Sequence, residues 1–380
     1  MAQLVPCFAQ NAPQIDSEGT FPTEEFAAIK EANLLSAPLP PYVGAGLGTA
    51  SGSTLALLQT LWHVGCGNLS VGRLYEGHVN ALQLVHWFGD DDQKQRLFAD
   101  ARAGHIFGVW NTQAGNGIRF EPNENGCTMQ GAKTFCSGAG HVSRPIVTGE
   151  RADNGDWQMA VVPIDEKPVT FDASWWKPMG MRASASFQTD FSGVQLRNDD
   201  LLGNGGDYYQ QPAFSGGAIR FCAVQLGGAA SLLEATRDFL VQVGREEDPF
   251  QRARVGQMAA KVQSGWQWLQ SAAQMWESRD NAAQMVAFAA MMRVATEEIC
   301  NAVLEMAEKS VGARGLMRPS PIERISRDLT MYLKQPHLDE IPVRVGKWVL
   351  ESEAPAHELW TAVAPTPTEN TNAQSKGCGG

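Results

Sequence analysis

At 380 residues and 43% hydrophobic composition, the chain can form about two or three packed units with buried cores, which excludes global disorder. A formal net charge of -11 at pH 7 argues against nucleic acid or an anionic membrane surface as the main partner.

The opening "MAQLVPCFAQNAPQ" has no basic segment ahead of an apolar run, so no signal peptide is expected. From Pro22 to about Gly104 the pattern is helical and broken by glycines. "FPTEEFAAIKEANLL" offers Thr23 as an N-cap, and Phe26, Ile29 and Leu34 form an apolar face. "PLPPYVGAGLGTASGS" reads as a loop. "STLALLQTLWHVG" and "EGHVNALQLVHWFG" read as buried helices, and "DDDQKQRLFADARAG" as a charged, capped one.

At Ile106 the period changes. Asn125-Gly126 is a hairpin-turn dipeptide ahead of "GCTMQGAKTF", and "ADNGD" marks a second turn before "WQMAVVPI". "SFQTDFSGVQL" alternates again, which makes a β-rich block. From about Ala213 the helical period returns. Cys222, Leu226, Ala229, Leu233, Thr236 and Leu240 step by three or four, and two further runs do the same. Long amphipathic helices with short connections favour an antiparallel bundle. The closing "APTPTENTNAQSKGCGG" reads as an unstructured tail.

The expected fold is therefore α+β: helices over 1–105, a β-domain over 106–212, a helical bundle over 213–355 and a flexible tail over 356–380. Strand and helix do not alternate, so a doubly wound nucleotide-binding sheet is not expected. Seven scattered cysteines (Cys7, Cys66, Cys127, Cys136, Cys222, Cys300, Cys378) without a CxxC pair suggest reduced thiols rather than a disulfide frame or zinc site. No uncharged apolar stretch reads as membrane-spanning. A soluble cytoplasmic protein is the expectation.

Five stretches, in order, resemble the acyl-CoA dehydrogenase superfamily of flavoproteins. "GVWNTQAGNG" is similar to its flavin-contacting T-E-P-x-x-G-S loop, with Thr112 on the threonine and Gln113 and Ala114 replacing Glu and Pro. "MQGAKTFCSGAG" resembles N-G-x-K-x-W/F-I-T/S, and "PMGMRASASFQTDFSGVQL" resembles the M-G-x-R-x-S/T run. "GREEDPF" resembles R-x-x-F-G, and "VGARGLMRPSPIERISRDL" resembles G-G-x-G followed by E-R/K-x-x-R-D.

The resemblance implies FAD (alternatively FMN) between the β-domain and the bundle. Phe135 and Ser137, two apart on a strand, would share a face, one covering the ring and the other reaching a heteroatom. Thr112 would serve the pyrimidine end, and Trp110 abuts the same strand. Arg245 and Phe250 would meet a neighbouring subunit's cofactor, the arginine fork binding phosphate. Gly312 and Gly315 would let backbone approach the flavin. A homo-oligomer with shared flavin sites follows. The plain alternatives are a core phenylalanine, a satisfied hydroxyl, a surface ion pair at Arg245, and an i,i+4 pair of Arg324 with Asp328.

A dehydrogenase needs a carboxylate to abstract the α-proton of an acyl thioester. The two places where the superfamily keeps it fall on Pro336, in "SRDLTMYLKQPHLDE", and on Ile219 beside Arg220. Neither can take a proton. Three readings compete. His337 or Asp339 supplies the base from a shifted turn, with a CoA thioester or similarly activated substrate and an electron acceptor. Alternatively, reduced flavin and O₂ act as a monooxygenase in a dry pocket. In the third, the fold is kept for binding alone. His78 would line the substrate side or simply bond to backbone, and Arg220 would bind a substrate carboxylate or carbonyl or pair within the bundle.

Overall fold

The computed structural model describes residues 1–278 and 281–360, so Cys378 and the expected tail from residue 361 onward lie outside the described residues. The chain begins with a helix that the sequence reading missed, α1 (Val5–Glu18). Its Pro6 sits in the first turn, where a missing N–H costs little, and Phe8, Ala12 and Asp16 form a buried stripe four apart. In α2 (Thr23–Glu31), Thr23 is the first helical residue and makes no side-chain cap; Pro22 holds the cap position.

Asn68 separates α3 (Thr54–Gly67) from α4 (Leu69–Phe88), and its side chain accepts from the N–H groups of Ser70 and Val71. The charged α5 (Asp91–Ala103) is capped as expected, by a reciprocal box of Asp90 with Gln93.

The β-region contains β1 (Phe107–Trp110), β2 (Gln113–Asn123), β3 (Gly126–Cys136), β4 (Arg144–Arg151), β5 (Trp157–Val161), β6 (Thr170–Asp172), β7 (Phe187–Asp190), β8 (Gln195–Arg197) and β9 (Leu201–Leu202). They pair in the order β6-β7-β3-β2-β4-β5-β9, with β1 parallel to β4 and β8 on β3. The β2–β3 hairpin pairs Asn123 with Gly126, so its loop is Glu124-Asn125, one residue earlier than expected. Two irregularities shape the cleft edge. The β2–β3 register shifts between Ala114 and Arg119, across Gly115 and Gly117 at positive φ. The β3–β7 register shifts between Lys133 and Cys136, where Phe135 has φ 53°.

The bundle comprises α6 (Ala213–Gln242), α7 (Pro249–Ser278), α8 (Ala282–Gly315), α9 (Pro321–Leu333) and α10 (Glu340–Glu351). By length and composition α6 could cross a bilayer, although it carries charged residues and 67% of its most apolar stretch is buried inside the protein. One apolar core joins α1–α4 to the bundle, a second lies within the sheet, and a third seats α4 and α5 on β1, β4, β5 and β9. The six described cysteines are free thiols.

Candidate functional site

The connection between β1 and β2 is organised by a fully buried lysine of β3. Lys133 Nζ donates to the Asn111 carbonyl at 2.9 Å, to Gln113 Oε1 at 2.7 Å and to Thr148 Oγ1 at 3.3 Å, and lies over the Trp157 ring. All these partners are neutral, and burial pulls the ammonium down to about 7. Gln113 also accepts from the Ile118 N–H at 3.1 Å, closing the β2 bulge. Its side chain is thus turned toward the sheet interior, whereas Thr112 is exposed.

Phe135 and Ser137 do not sit side by side on a regular strand. The left-handed kink at Phe135 ejects its ring, 44% exposed, and Ser137 follows the last residue of β3. The ring meets Trp175 edge-on at 5.0 Å and Trp176 at 6.0 Å, which makes an aromatic wall. Ser137 Oγ lies 2.9 Å from Ser186 Oγ, which lies 2.7 Å from Ser184 Oγ. Trp110 is buried, and its indole donates to the Ser137 carbonyl at 3.0 Å. A projecting phenylalanine backed by two half-buried tryptophans, beside the half-buried Ser137 whose hydroxyl is held by buried Ser186, fits a planar, heteroatom-rich guest such as an isoalloxazine.

Behind this wall, Arg73, Leu74 and Gly77 of α4 face Phe107–Trp110, Ser137 and Val142 across a cleft. Arg73 donates to Glu76 Oε2 at 2.6 Å, Asn80 Nδ2 donates to Glu76 Oε1, and Arg220 Nε of α6 donates to Asn80 Oδ1. Burial lowers Arg73, but the Glu76 carboxylate outweighs it and holds the guanidinium above its ordinary range. Arg220, lacking a direct carboxylate, is pulled down by burial to about 10. Arg73, Glu76 and Asn80 escaped the sequence reading. Their one signal was spacing, since i, i+3 and i+7 on a helix share a face.

Of the two readings of His78, substrate side or backbone partner, the geometry shows the second. Its Nδ1 accepts from the Phe107 N–H at 3.0 Å, and its Nε2 stands 2.8 Å from the Leu35 carbonyl, which fixes the Nε2–H tautomer. Burial pulls its pKa to about 4, so the ring is neutral.

The R-D segment of α9 braces the loop that resembles M-G-x-R. Asp328 Oδ1 accepts from the Met181 N–H at 2.6 Å, and Arg327 donates to the Met179 carbonyl and to Asp16 and Glu323. A Cβ on Gly180 would lie 2.2 Å from the Arg327 carbonyl, so only glycine fits there. Arg324 and Asp328 form the expected i,i+4 pair, buried, at 3.8 Å.

The remaining sequence candidates lie apart from this cluster. His337 and Asp339 are exposed at the start of α10, and His337 Nδ1 pairs with the exposed Glu340 at 3.3 Å. Arg245 pairs with Asp248 on the surface, and Phe250 is 74% exposed. Gly312 breaks α8 at φ 59°, with open space where a Cβ would be. At Gly315 a Cβ would strike the Val311 side chain, so its bareness serves helix packing.

Two family models match the chain: "Acyl-CoA dehydrogenase, N-terminal domain" over residues 7–105 and "Acyl-CoA dehydrogenase, C-terminal domain" over residues 219–335. Probable acyl-CoA dehydrogenase YngJ of Bacillus subtilis is 25% identical, over 84% of this chain and 87% of that protein. Dibenzothiophene monooxygenase of Mycolicibacterium goodii is 23% identical, over 90% of each. Among solved structures, TdsC from Paenibacillus sp. A11-2 with FMN and indole superposes with a TM-score of 0.84 at 21% identity, covering 95% of this chain and 98% of that one.

Proposed function

The chain belongs to the acyl-CoA dehydrogenase superfamily, and from that premise we propose that it is a flavin-dependent monooxygenase, using reduced FMN and O₂ to oxygenate a small molecule. One observation carries the reading: neither position that would hold a dehydrogenase base can take a proton. Pro336 has only a carbonyl there, accepting from Arg293 at 2.8 Å, and Ile219 is 1% exposed in the bundle core. The carboxylate near the cleft, Glu76, has both oxygens engaged by Arg73 and Asn80, which suits a fixed counter-ion better than a base. The likeness to proteins named monooxygenases supports the same choice over acyl-thioester dehydrogenation.

Bound reduced flavin supplies the two electrons that let O₂ give one oxygen atom to substrate and release the other as water. In this chain Phe135 and Trp175 would cover the ring, while Thr112 and Ser137, its hydroxyl oriented by the buried Ser186 and Ser184, would meet its polar edge. Trp110 and Phe107 seal the cleft floor against water, and Lys133 fixes the β1–β2 connection that carries Asn111 and Thr112. FMN rather than FAD is the choice supported by the TdsC likeness. The exposed Arg245 and Phe250 suit a role at a second copy's cofactor, so a homo-oligomer with shared sites completes the proposal.

The test follows oxygen. Protein supplied with FMN, NADH and a flavin reductase should incorporate label from ¹⁸O₂ into an oxidisable small molecule, and anaerobic acyl-CoA should leave the oxidised flavin unbleached. Rapid bleaching by an acyl-CoA, without O₂-dependent labelling, would return the protein to the dehydrogenases.

A further inference from the structure

The network between α4 and α6 does not balance its charge. Arg73 and Arg220 bring two guanidinium groups, and Glu76 is the one carboxylate bonded into the cluster. Arg73 uses that carboxylate directly at 2.6 Å. Arg220 is only 5% exposed, and among the described residues its sole hydrogen-bond acceptor is the neutral amide of Asn80. It also lies over an aromatic face, Trp87, at 5.9 Å. A buried guanidinium without a carboxylate is costly, because an arginine does not shed its proton near neutrality.

Two glycines, Gly77 and Gly217, leave one approach to the guanidinium groups bare, while Trp87 and, beside Gly216, Trp276 close in on Arg220 from elsewhere. Arg73, Gly77 and Asn80 lie at i, i+4 and i+7, one stripe of α4, and Arg73 and Gly77 line the cleft. A Cβ on Gly77 would lie 3.6 Å from Arg73 Nη1. On the facing turn of α6, a Cβ on Gly217 would lie 3.8 Å from Asn80 Nδ2 and 4.0 Å from Arg220 Nη2. Tyr208 and Phe214, with ring centroids 5.5 Å apart, stand where α6 begins, and Tyr208 lies within electrostatic reach of Arg73 and Glu76. Cation, open backbone and aromatic rim are thus adjacent.

We propose that this α4–α6 face binds the oxyanion of a small organic acid, a carboxylate or sulfur oxyacid carried by the substrate, with Arg220 as its counter-ion. The acid's body would rest on the Tyr208–Phe214 side, where an aromatic or alkyl group loses water. A neutral analogue of the same shape would leave the guanidinium unpaired and be rejected. The substrate role rests on the monooxygenase reading; the anion site does not.

Isothermal titration of the FMN-loaded protein with benzoate, benzenesulfinate and benzamide tests this without turnover, so a failed oxygenase assay leaves the result standing. The expected outcome is saturable binding of at least one anion, with benzamide weaker by about tenfold or more. Arg220→Gln should weaken the anion by about tenfold or more. Asn80→Asp, which gives Arg220 a carboxylate of its own, should do likewise and carries the test if the first variant fails to fold. Equal binding of benzamide, no binding of either anion, or unchanged affinity in Asn80→Asp would overturn the proposal. Displacement of benzoate by FMN from flavin-free protein would assign the oxyanion to the cofactor's phosphate and overturn it too.

Discussion

Lys133 shows how far a single side chain can depart from its usual surroundings. Its ammonium is wholly buried among neutral acceptors, and burial lowers its pKa to about 7, against 10.5 for a free lysine. The unfolded chain therefore binds more protons between those values, and this residue's contribution to stability rises with pH across that window. Buried thiols act oppositely once pH nears 9, since Cys136 is pushed up to about 12 by burial. Between about pH 7 and 8.5 the titration of Lys133 should dominate the difference between parent and Lys133→Met, at up to ~1.4 kcal/mol per pH unit. Thermal unfolding at both pH values should show a smaller gain for the methionine variant; equal gains would place the ammonium in a wetter setting. The sequence offered Lys133 only as a letter in a motif, because nothing local to "GAKTF" announces that three acceptors from other segments converge on it.

At the scale of elements, α9 acts as a brace. Asp328 receives the Met181 N–H, and burial raises its pKa to about 6. Asp328→Asn keeps an acceptor for that N–H, whereas Asp328→Ala leaves both the amide and the buried Arg324 unsatisfied. We expect the alanine variant to lose about 2–4 kcal/mol and the asparagine variant distinctly less, read from urea unfolding. Equal losses would show that charge, not acceptance, matters at this joint. Elements of this kind were well legible where periodicity is long: the α6–α8 runs, the switch at Ile106 and the capped α5 stand out from spacing alone. What escaped was set by tertiary context. Pro6 and Pro13 disguised α1, although Phe8, Ala12 and Asp16 kept a helical stripe. The kink at Phe135 broke the assumed alternation, so a pair expected on one pleated face became a projecting ring and a flanking hydroxyl. His78 looked like a site residue because sequence cannot tell a histidine serving backbone from one serving a ligand.

For the whole molecule, the proposed sharing of flavin sites ties cofactor retention to assembly. Exposed Val241, Phe250, Leu316 and Met317 fall at the C-terminal end of α6, the start of α7 and just past α8, close in the chain to Arg245 and Gly312. If a second copy covers them, diluting the protein through its association range should release FMN, and Phe250→Asp should shift that release to higher protein concentration. Gel filtration with flavin absorbance reads both; FMN affinity independent of protein concentration and of Phe250→Asp would show each site to be self-sufficient.

The imidazole of His78 rivets α4 to the backbone at Phe107 and to the loop at Leu35, and it holds only while uncharged. With its pKa near 4 in the fold against 6.5 when free, its share of stability drains away as pH drops between those values. The same helix carries Arg73, Glu76 and Asn80. Acidification would therefore loosen the cleft's rear seam early, dispersing the charged side chains that α4 aligns while distant parts of the bundle still stand.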